Sequence, residues 1–366
     1  MIDATGLADD SSYRGIGTYL RHLLRALASD PDVSMTALVP ARAAGADLPA
    51  GVERVPVRRI APGRWRHAEH ELLLPFDLAR RSADLFHSPA LNPPARCRGP
   101  WVQTLHDVIP LVFDDPELAA ERRRWTRHAM RYRRAGAIIA VSRHTADVAV
   151  STLGLDPRRI EVIHHGVSPG FTPGDRSRSG EAPYLLTVGE YSRRKGFAEA
   201  FAVAGALAEL GYPHRLRVVG RIAPWVRPAL DALVASAPVP DRIDLLGFVD
   251  DVVGEYQRAD VLLMTSRYEG FGLPVLEAMA CGTPVVAFAN SSITEVVGEA
   301  GILVDDGDVT KMVIAVRSVC DDPLLWHELS QRGIERAAEF SWERSARAHA
   351  DVYRRCVSSP ATTAAP

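Results

Sequence analysis

Lysine is nearly absent from this chain. Lys195 and Lys311 are the only lysines among 43 basic residues, so arginine carries almost all of the positive charge. Cysteine is also sparse. Cys97, Cys281, Cys320 and Cys356 are scattered, with no paired metal-type spacing and no dense framework. That argues against a zinc module or a disulfide-stapled scaffold and points to reduced thiols. No apolar run is long enough to span a bilayer, and the first residues lack a basic-then-apolar leader pattern. The expectation is a cytoplasmic protein. A net charge of −2 implies no nucleic acid or other polyanionic partner.

What remains is an ordinary globular composition over 366 residues, 47% hydrophobic and 24% charged. At roughly 100–200 residues per domain, two domains are expected. The charge is uneven: residues 1–165 hold 23 Lys+Arg against 19 Asp+Glu, and residues 166–366 hold 20 against 26. Arg122, Arg123, Arg124, Arg127, Arg131, Arg133 and Arg134 crowd around Trp125. Two readings stand: a solvated helix face, or a docking surface for an anionic membrane or a lipid-phosphate acceptor.

Short apolar runs alternate with longer amphipathic stretches. Strands are expected at Met35–Pro40, Leu85–Ser88, Trp101–Leu105, Ala137–Val141, Tyr184–Val188, Leu216–Val219, Ile243–Leu246, Val261–Met264, Pro284–Ala287 and Gly301–Val304. Continuous apolar runs suit parallel strands covered on both faces. Helical patterns lie between them, at Gly17–Leu27, Phe197–Leu210 and Pro274–Ala280. The alternation predicts a doubly wound α/β protein. Ser168–Pro183 is rich in Pro, Gly, Ser and charge, as linkers are. Met1-Ile2-Asp3 leaves room for only a very short first strand, or else marks a start assigned late.

Tyr268–Thr283, YEGFGLPVLEAMACGT, carries the most chemistry. It follows an apolar strand. Gly270 and Gly272 free the backbone to approach a ligand, and Pro274 suits a first helical turn. A glycine turn opening a helix presents unpaired N–H groups and a positive dipole end, which suits a diphosphate. Glu277, eight positions after Glu269, can accept hydrogen bonds from both hydroxyls of a ribose, and Glu269 can reach a sugar beyond the phosphates. In Gly189–Gly196, GEYSRRKG, adjacent Arg194 and Lys195 follow another strand, where a guanidinium fork and a point charge suit a pyrophosphate. His106-Asp107 ends the strand Trp101–Leu105. Gly15-Ile16-Gly17 alone is a poor dinucleotide fingerprint, because its third glycine is missing.

Glu269 and Glu277 framing GFGLPVL resemble the signature of the retaining glycosyltransferases grouped as family four, and the similarity covers most of the chain. The resemblance implies a GT-B fold, two Rossmann-like doubly wound parallel-sheet domains facing across a cleft. The expected division is 1–170 for the acceptor side, 181–340 for the donor side, 341–357 for a terminal helix crossing back, and 358–366 for a disordered tail. It implies catalytic roles for His106, Glu269, Arg194 and Lys195. Donor contacts are expected from Gly17, Gly189, Arg194, Lys195, Phe248, Val249, Glu269, Gly270, Phe271, Gly272, Leu273 and Glu277, with Tyr13 and Arg14 near the acceptor. Many relatives place the arginine beside the lysine, which favours Arg194; others carry it directly after the glycine, where this chain has Glu190. His165 stands where relatives usually have asparagine, and Thr294 where proline is usual.

The implied reaction moves a hexose from a nucleotide diphosphate sugar to a glycan, lipid-linked or metabolite acceptor, with GDP-mannose favoured and UDP- and dTDP-sugars open. No cofactor or metal is expected; Asp305-Asp306-Gly307-Asp308 reads as a solvated turn. Peripheral contact with an anionic membrane is a further expectation. Rival readings are a nucleotide-sugar epimerase of the same shape, an NAD-dependent oxidoreductase, and a catalytically inactive nucleotide-binding partner subunit.

Overall fold

The computed structural model describes residues 1–8, 15–41, 48–57, 66–89, 93–174 and 182–358, with only the backbone described at 66–70. The chain divides into two compact units, Met1–Gly166 with Ser341–Pro366, and Val167–Phe340.

Among the described residues the first unit holds seven parallel strands: β1 (Ile2–Asp3), β2 (Met35–Pro40), β3 (Val52–Val57), β4 (Phe86–Ser88), β5 (Trp101–Leu105), β6 (Ala137–Ala140) and β7 (Ile160–Val162). Their order is β3-β2-β1-β4-β5-β6-β7. The second unit holds β8 (Tyr184–Val188), β9 (Arg215–Val219), β10 (Ile243–Gly247), β11 (Val261–Met264), β12 (Val285–Phe288) and β13 (Ile302–Val304), also parallel, in the order β10-β9-β8-β11-β12-β13. In each sheet the order reverses once, at β1/β4 and at β8/β11. Doubly wound sheets bind ligands outside the carboxyl ends of the strands at such a switch point.

Every strand expected from an apolar run is present, with ends shifted by one residue at several places. β1, for which only a very short strand had room, is two residues long. Two strands escaped the periodicity. β3 carries Glu53, Arg54 and Pro56 and is mostly exposed, as an edge strand with one paired side can be. β7, at the other edge, spans three residues. Helix Gly15–Leu27 begins two residues earlier than expected and buries Tyr19, Leu20, Leu23, Leu24 and Leu27 along one stripe. The last helix is Trp342–Ser358, one residue past the expected end at 357; residues 359–366 of the expected tail lie outside the described residues.

That last helix belongs to the first unit and packs on helix Gly15–Leu27. A buried polar chain fastens it. Nδ1 of His349 lies 2.7 Å from the Ser345 carbonyl, which can only accept, so Nδ1 carries the proton. Nε2 of His349 therefore accepts from the Tyr19 hydroxyl at 2.8 Å. Thr104 donates to Tyr19 at 3.0 Å, His87 Nε2 to Thr104 at 2.7 Å, and Tyr353 to His87 Nδ1 at 2.7 Å. With both rings neutral, each proton around the chain is used once.

Burial keeps them so. It lowers His349 and His106 to about 4 and holds His87 and His165 well below the ordinary histidine value. As pH falls below about 6.5 the unfolded chain takes up protons that the fold refuses, at a cost of up to about 1.4 kcal/mol per pH unit for each histidine. Stability of the first unit is therefore complete above about pH 6.5 and is lost as pH falls toward 4. Calorimetric melts should show its transition dropping steeply over that window, with a shallower drop in His349→Gln. A flat transition temperature would contradict the neutral-histidine assignment.

Candidate donor-binding site

The two loops that flank the β8/β11 switch point carry the residues singled out for phosphate chemistry. After β8 the chain runs through Gly189 into a single 3-10 turn, Arg193–Lys195. Gly196 follows with φ +64, and a Cβ there would lie 2.0 Å from the Thr265 carbonyl oxygen, so only glycine permits this approach. The turn is bound along the segment after β11. Arg267 N–H donates to the Arg194 carbonyl at 2.8 Å, and the Thr265 hydroxyl to the Lys195 carbonyl at 3.2 Å.

Backbone fixation brings the cations onto one carboxylate. Lys195 Nζ lies 2.7 Å from Glu269 Oε1, and Arg194 Nη1 lies 3.0 Å from the same oxygen and donates to the Tyr268 carbonyl at 2.6 Å. Burial alone would raise the Glu269 carboxyl; Arg194 and Lys195 outweigh it and hold it at about 2. Burial pulls the Lys195 ammonium below its ordinary value; Glu269 opposes that most, and Glu190, the departure from the arginine of some relatives, opposes it least. Glu269 is pinned through its backbone as well. Its N–H donates to the Ser291 hydroxyl at 2.9 Å, and its carbonyl accepts from the Ser292 hydroxyl at 2.9 Å. Ser291 has φ 44, the one left-handed non-glycine residue among those described. Strain of this kind, about 1–3 kcal/mol, persists where surrounding structure enforces it.

Three residues on, Gly272 caps helix Leu273–Ala280 with φ 101. A Cβ there would meet Ile293 at 2.7 Å. Gly270 is not in the left-handed region, so of the two glycines in the turn Gly272 alone needs its freedom. Phe271 is buried and meets Phe340 edge to face at 6.0 Å, which leaves its backbone rather than its ring to face a ligand. Glu277 lies one turn into the helix, half-buried, and accepts a hydrogen bond from Tyr256 at 2.8 Å. Phe248 and Val249 follow β10, Phe248 with 67% of its surface exposed. Asp308 caps helix Val309–Asp321, and Lys311 pairs with Asp305, which makes this acidic run a capped turn.

In the first unit, Gly17 lies in the first turn of helix Gly15–Leu27 and is buried. His106 follows β5 and is 8% exposed. Its ring meets Tyr19 edge-on at 4.8 Å and His165 at 5.8 Å. Pro89 accepts a hydrogen bond from the ring, while Nε2 is buried with no partner among the described residues. Asp107 accepts from Ile109 N–H at 3.0 Å, a local backbone role. Tyr13 and Arg14 lie outside the described residues. A cavity of about 410 Å³ lined by Met1, Met35 and Leu85 opens at the amino ends of the strands, the opposite edge from this chemistry.

Sequence reasoning missed Tyr256. A tyrosine in a short helix carries no local signal of the partner it will meet. The Ser345, His349, Tyr353 series, four residues apart on one buried helix face, was a readable sign of a polar seam.

Two parallel Rossmann-like sheets in one chain are the architecture of the GT-B fold. Residues 173–340 match the family "Glycosyl transferases group 1" and residues 13–171 match "Glycosyltransferase Family 4". The D-inositol 3-phosphate glycosyltransferase of Geodermatophilus obscurus is 30% identical over 406 aligned positions, covering 94% of this chain and 84% of that one. The O-antigen chain mannosyltransferase B of Escherichia coli is 34% identical over 178, covering 47% of this chain and 45% of that one, so the chain spans about half the length of that relative. Sucrose-phosphate synthase from Thermosynechococcus elongatus shares the fold, with TM-score 0.82 and 21% identity over 97% of this chain and 98% of that one. The chain belongs to glycosyltransferase family four.

Removing Glu269 leaves two cations crowded at a buried edge. Glu269→Ala should cost the second unit about 3–5 kcal/mol, read as a lowered denaturant midpoint. A loss below about 1 kcal/mol would show that the cluster is solvated.

Proposed function

We propose that this glycosyltransferase is retaining and metal-independent, and that it moves a hexose from a nucleotide diphosphate sugar to a glycan, lipid-linked or metabolite acceptor, with GDP-mannose as the leading donor. The observation that carries the reading is the convergence of Arg194 and Lys195 on Glu269 beside the Gly272-capped helix start. These cations and the N–H groups of Gly270–Leu273 suit the diphosphate of the donor, and Glu277 suits its ribose. The GDP-mannose assignment is supported by the His-Asp-x-Ile-Pro and Arg-Arg-Lys segments and by likeness to a mannosyltransferase. UDP- and dTDP-sugars are the alternatives.

In the proposed reaction the bond between the anomeric carbon and the diphosphate oxygen breaks as positive charge grows on the sugar. Arg194, Lys195 and the helix-start amides stabilise the negative charge gathering on the leaving group. The acceptor hydroxyl attacks from the same face, and its proton passes to the departing phosphate oxygen. His106 supports this step by presenting a neutral imidazole to the sugar. No strong general base is then required.

A thermal-shift screen against GDP-, UDP-, ADP- and dTDP-sugars tests the donor assignment, with GDP-mannose expected to give the largest rise. Lys195→Ala and Glu277→Ala should each weaken nucleotide binding at least about tenfold, and His106→Ala should lower turnover with binding retained. Parent-like binding and turnover in all three variants would overturn the site.

Peripheral contact with anionic lipid from the cytoplasmic side belongs to the same proposal. Arg122 is spent on the Pro110 and Phe113 carbonyls, Arg131 on Glu71 and Arg133 on Leu153. Arg123 and Arg127 are exposed along one helical face with Met130, Arg134 is exposed in the turn just past that helix, and Leu72 and Phe76 are exposed on the helix that carries Glu71. Replacing the three exposed arginines with glutamine should reduce sedimentation with phosphatidylglycerol vesicles, each contributing about 1 kcal/mol. Equal recovery with parent and variant would remove the membrane from the proposal.

A further inference from the structure

Glu277 is held more closely than a ribose ligand requires. Helix Leu273–Ala280, which carries it, packs against helix Val252–Arg258. Tyr256 on that second helix is fully buried and donates to Glu277 Oε2 at 2.8 Å. The tyrosine is itself fixed. Phe171 meets its ring edge to face at 5.8 Å, and its carbonyl accepts from the Thr283 hydroxyl at 2.5 Å. Among the described residues Glu277 Oε1 accepts no hydrogen bond, and it is not sealed from solvent.

We propose that Tyr256 is a positioning residue for the donor: its hydroxyl clamps Oε2 of Glu277 and leaves Oε1 to accept from ribose hydroxyls, which favours ribonucleotide donors over the dTDP-sugars left as an alternative above. The inference rests on the donor reading above and adds to it a residue and a substrate class. An ionised carboxylate only accepts, which matches two hydroxyl donors; a protonated one turns an oxygen into a donor and loses the match. A 2′-deoxyribose offers one donor fewer.

The chemistry of the pair supports the clamp. Burial, with Glu277 beside it, raises the Tyr256 phenol well above its ordinary range, so it always donates. Burial pushes the Glu277 carboxyl up to about 7, and the Tyr256 hydroxyl pulls against that rise. No charged group contributes to the Glu277 shift. Glu255 and Arg258, on the tyrosine's helix, pair with each other and with Arg217 and Asp251. On helix Pro323–Ala337, which packs against the other side, Arg332 pairs with Glu328 and Arg336 with Glu339. His327 of that helix lines a hollow with Cys281, whose thiol burial raises to about 12. Glu295 is the acidic residue of helix Ile293–Val297, also adjacent.

The test is calorimetric titration of GDP-mannose and UDP-glucose from about pH 5.5 to 8.5, a range in which their esterified diphosphates do not titrate. The parent should bind about tenfold more weakly per pH unit below neutrality and level off above it. In Tyr256→Phe the levelling should move up by about half a pH unit or more, with affinity at the alkaline end within about threefold of the parent. Glu277→Gln should be flat with pH, and it carries the test if Tyr256→Phe does not fold. 2′-Deoxy-UDP-glucose should bind the parent at least about tenfold more weakly than UDP-glucose. A Tyr256→Phe profile parallel to the parent, a parent profile flat with pH, a sloping Glu277→Gln profile, or equal binding of the deoxy donor would each overturn the proposal. Lys195→Ala separates the two readings. If it binds like the parent, the donor site itself fails; if it weakens binding while the Tyr256→Phe profile stays put, only the clamp fails.

Discussion

One buried carboxylate organises the carboxyl edge of the second sheet. Glu269 pairs with both Lys195 and Arg194 on one oxygen, one negative charge against two positive, and two serine hydroxyls lock its backbone. Those cations come from the loop after β8, and Glu269 comes from the loop after β11. The ion pairs therefore stitch together the two loops at the point where the strand order reverses. Doubly wound sheets bind ligands at such a switch point; here that edge carries a preset charge pattern rather than loops free to choose their own shape.

That arrangement bears on how a diphosphate would be received. Glu269 gathers the two cations on one oxygen, Oε1, at 2.7 and 3.0 Å, which is how one phosphate oxygen would gather them. Preorganisation of this kind spares the reorganisation that free side chains would need when charge develops. The capped helix start and the left-handed Ser291 belong to the same fixed frame.

Much of this was legible in the sequence. Strands buried on both faces announce themselves as apolar runs, so β2, β4, β5, β6 and the whole of the second sheet could be read directly. β3 and β7 could not, because an edge strand has one neighbour and tolerates Glu53, Pro56 and Glu161. The candidate site residues could be singled out because Lys195 and the glycine turn each follow a readable strand. Partners across the fold were not: nothing near Tyr256 announces Glu277, and nothing near Thr104 announces Tyr19. The arginine-rich helix shows a different limit. Composition marks the cluster, but only the structure separates Arg122, Arg131 and Arg133, tied to carbonyls or to Glu71, from those facing solvent.

The polar seam through Tyr19, His349 and Tyr353 makes the two ends of the chain into one body, with the second unit inserted as a loop of 174 residues, Val167–Phe340. Where that insert begins and ends, Val167 N–H donates to the Phe340 carbonyl at 3.0 Å, so its termini already touch. Damage from truncation is thereby inverted. Losing the last helix would spare the adjacent half of the sequence and undo the distant one, while an excised insert would carry its own closure with it.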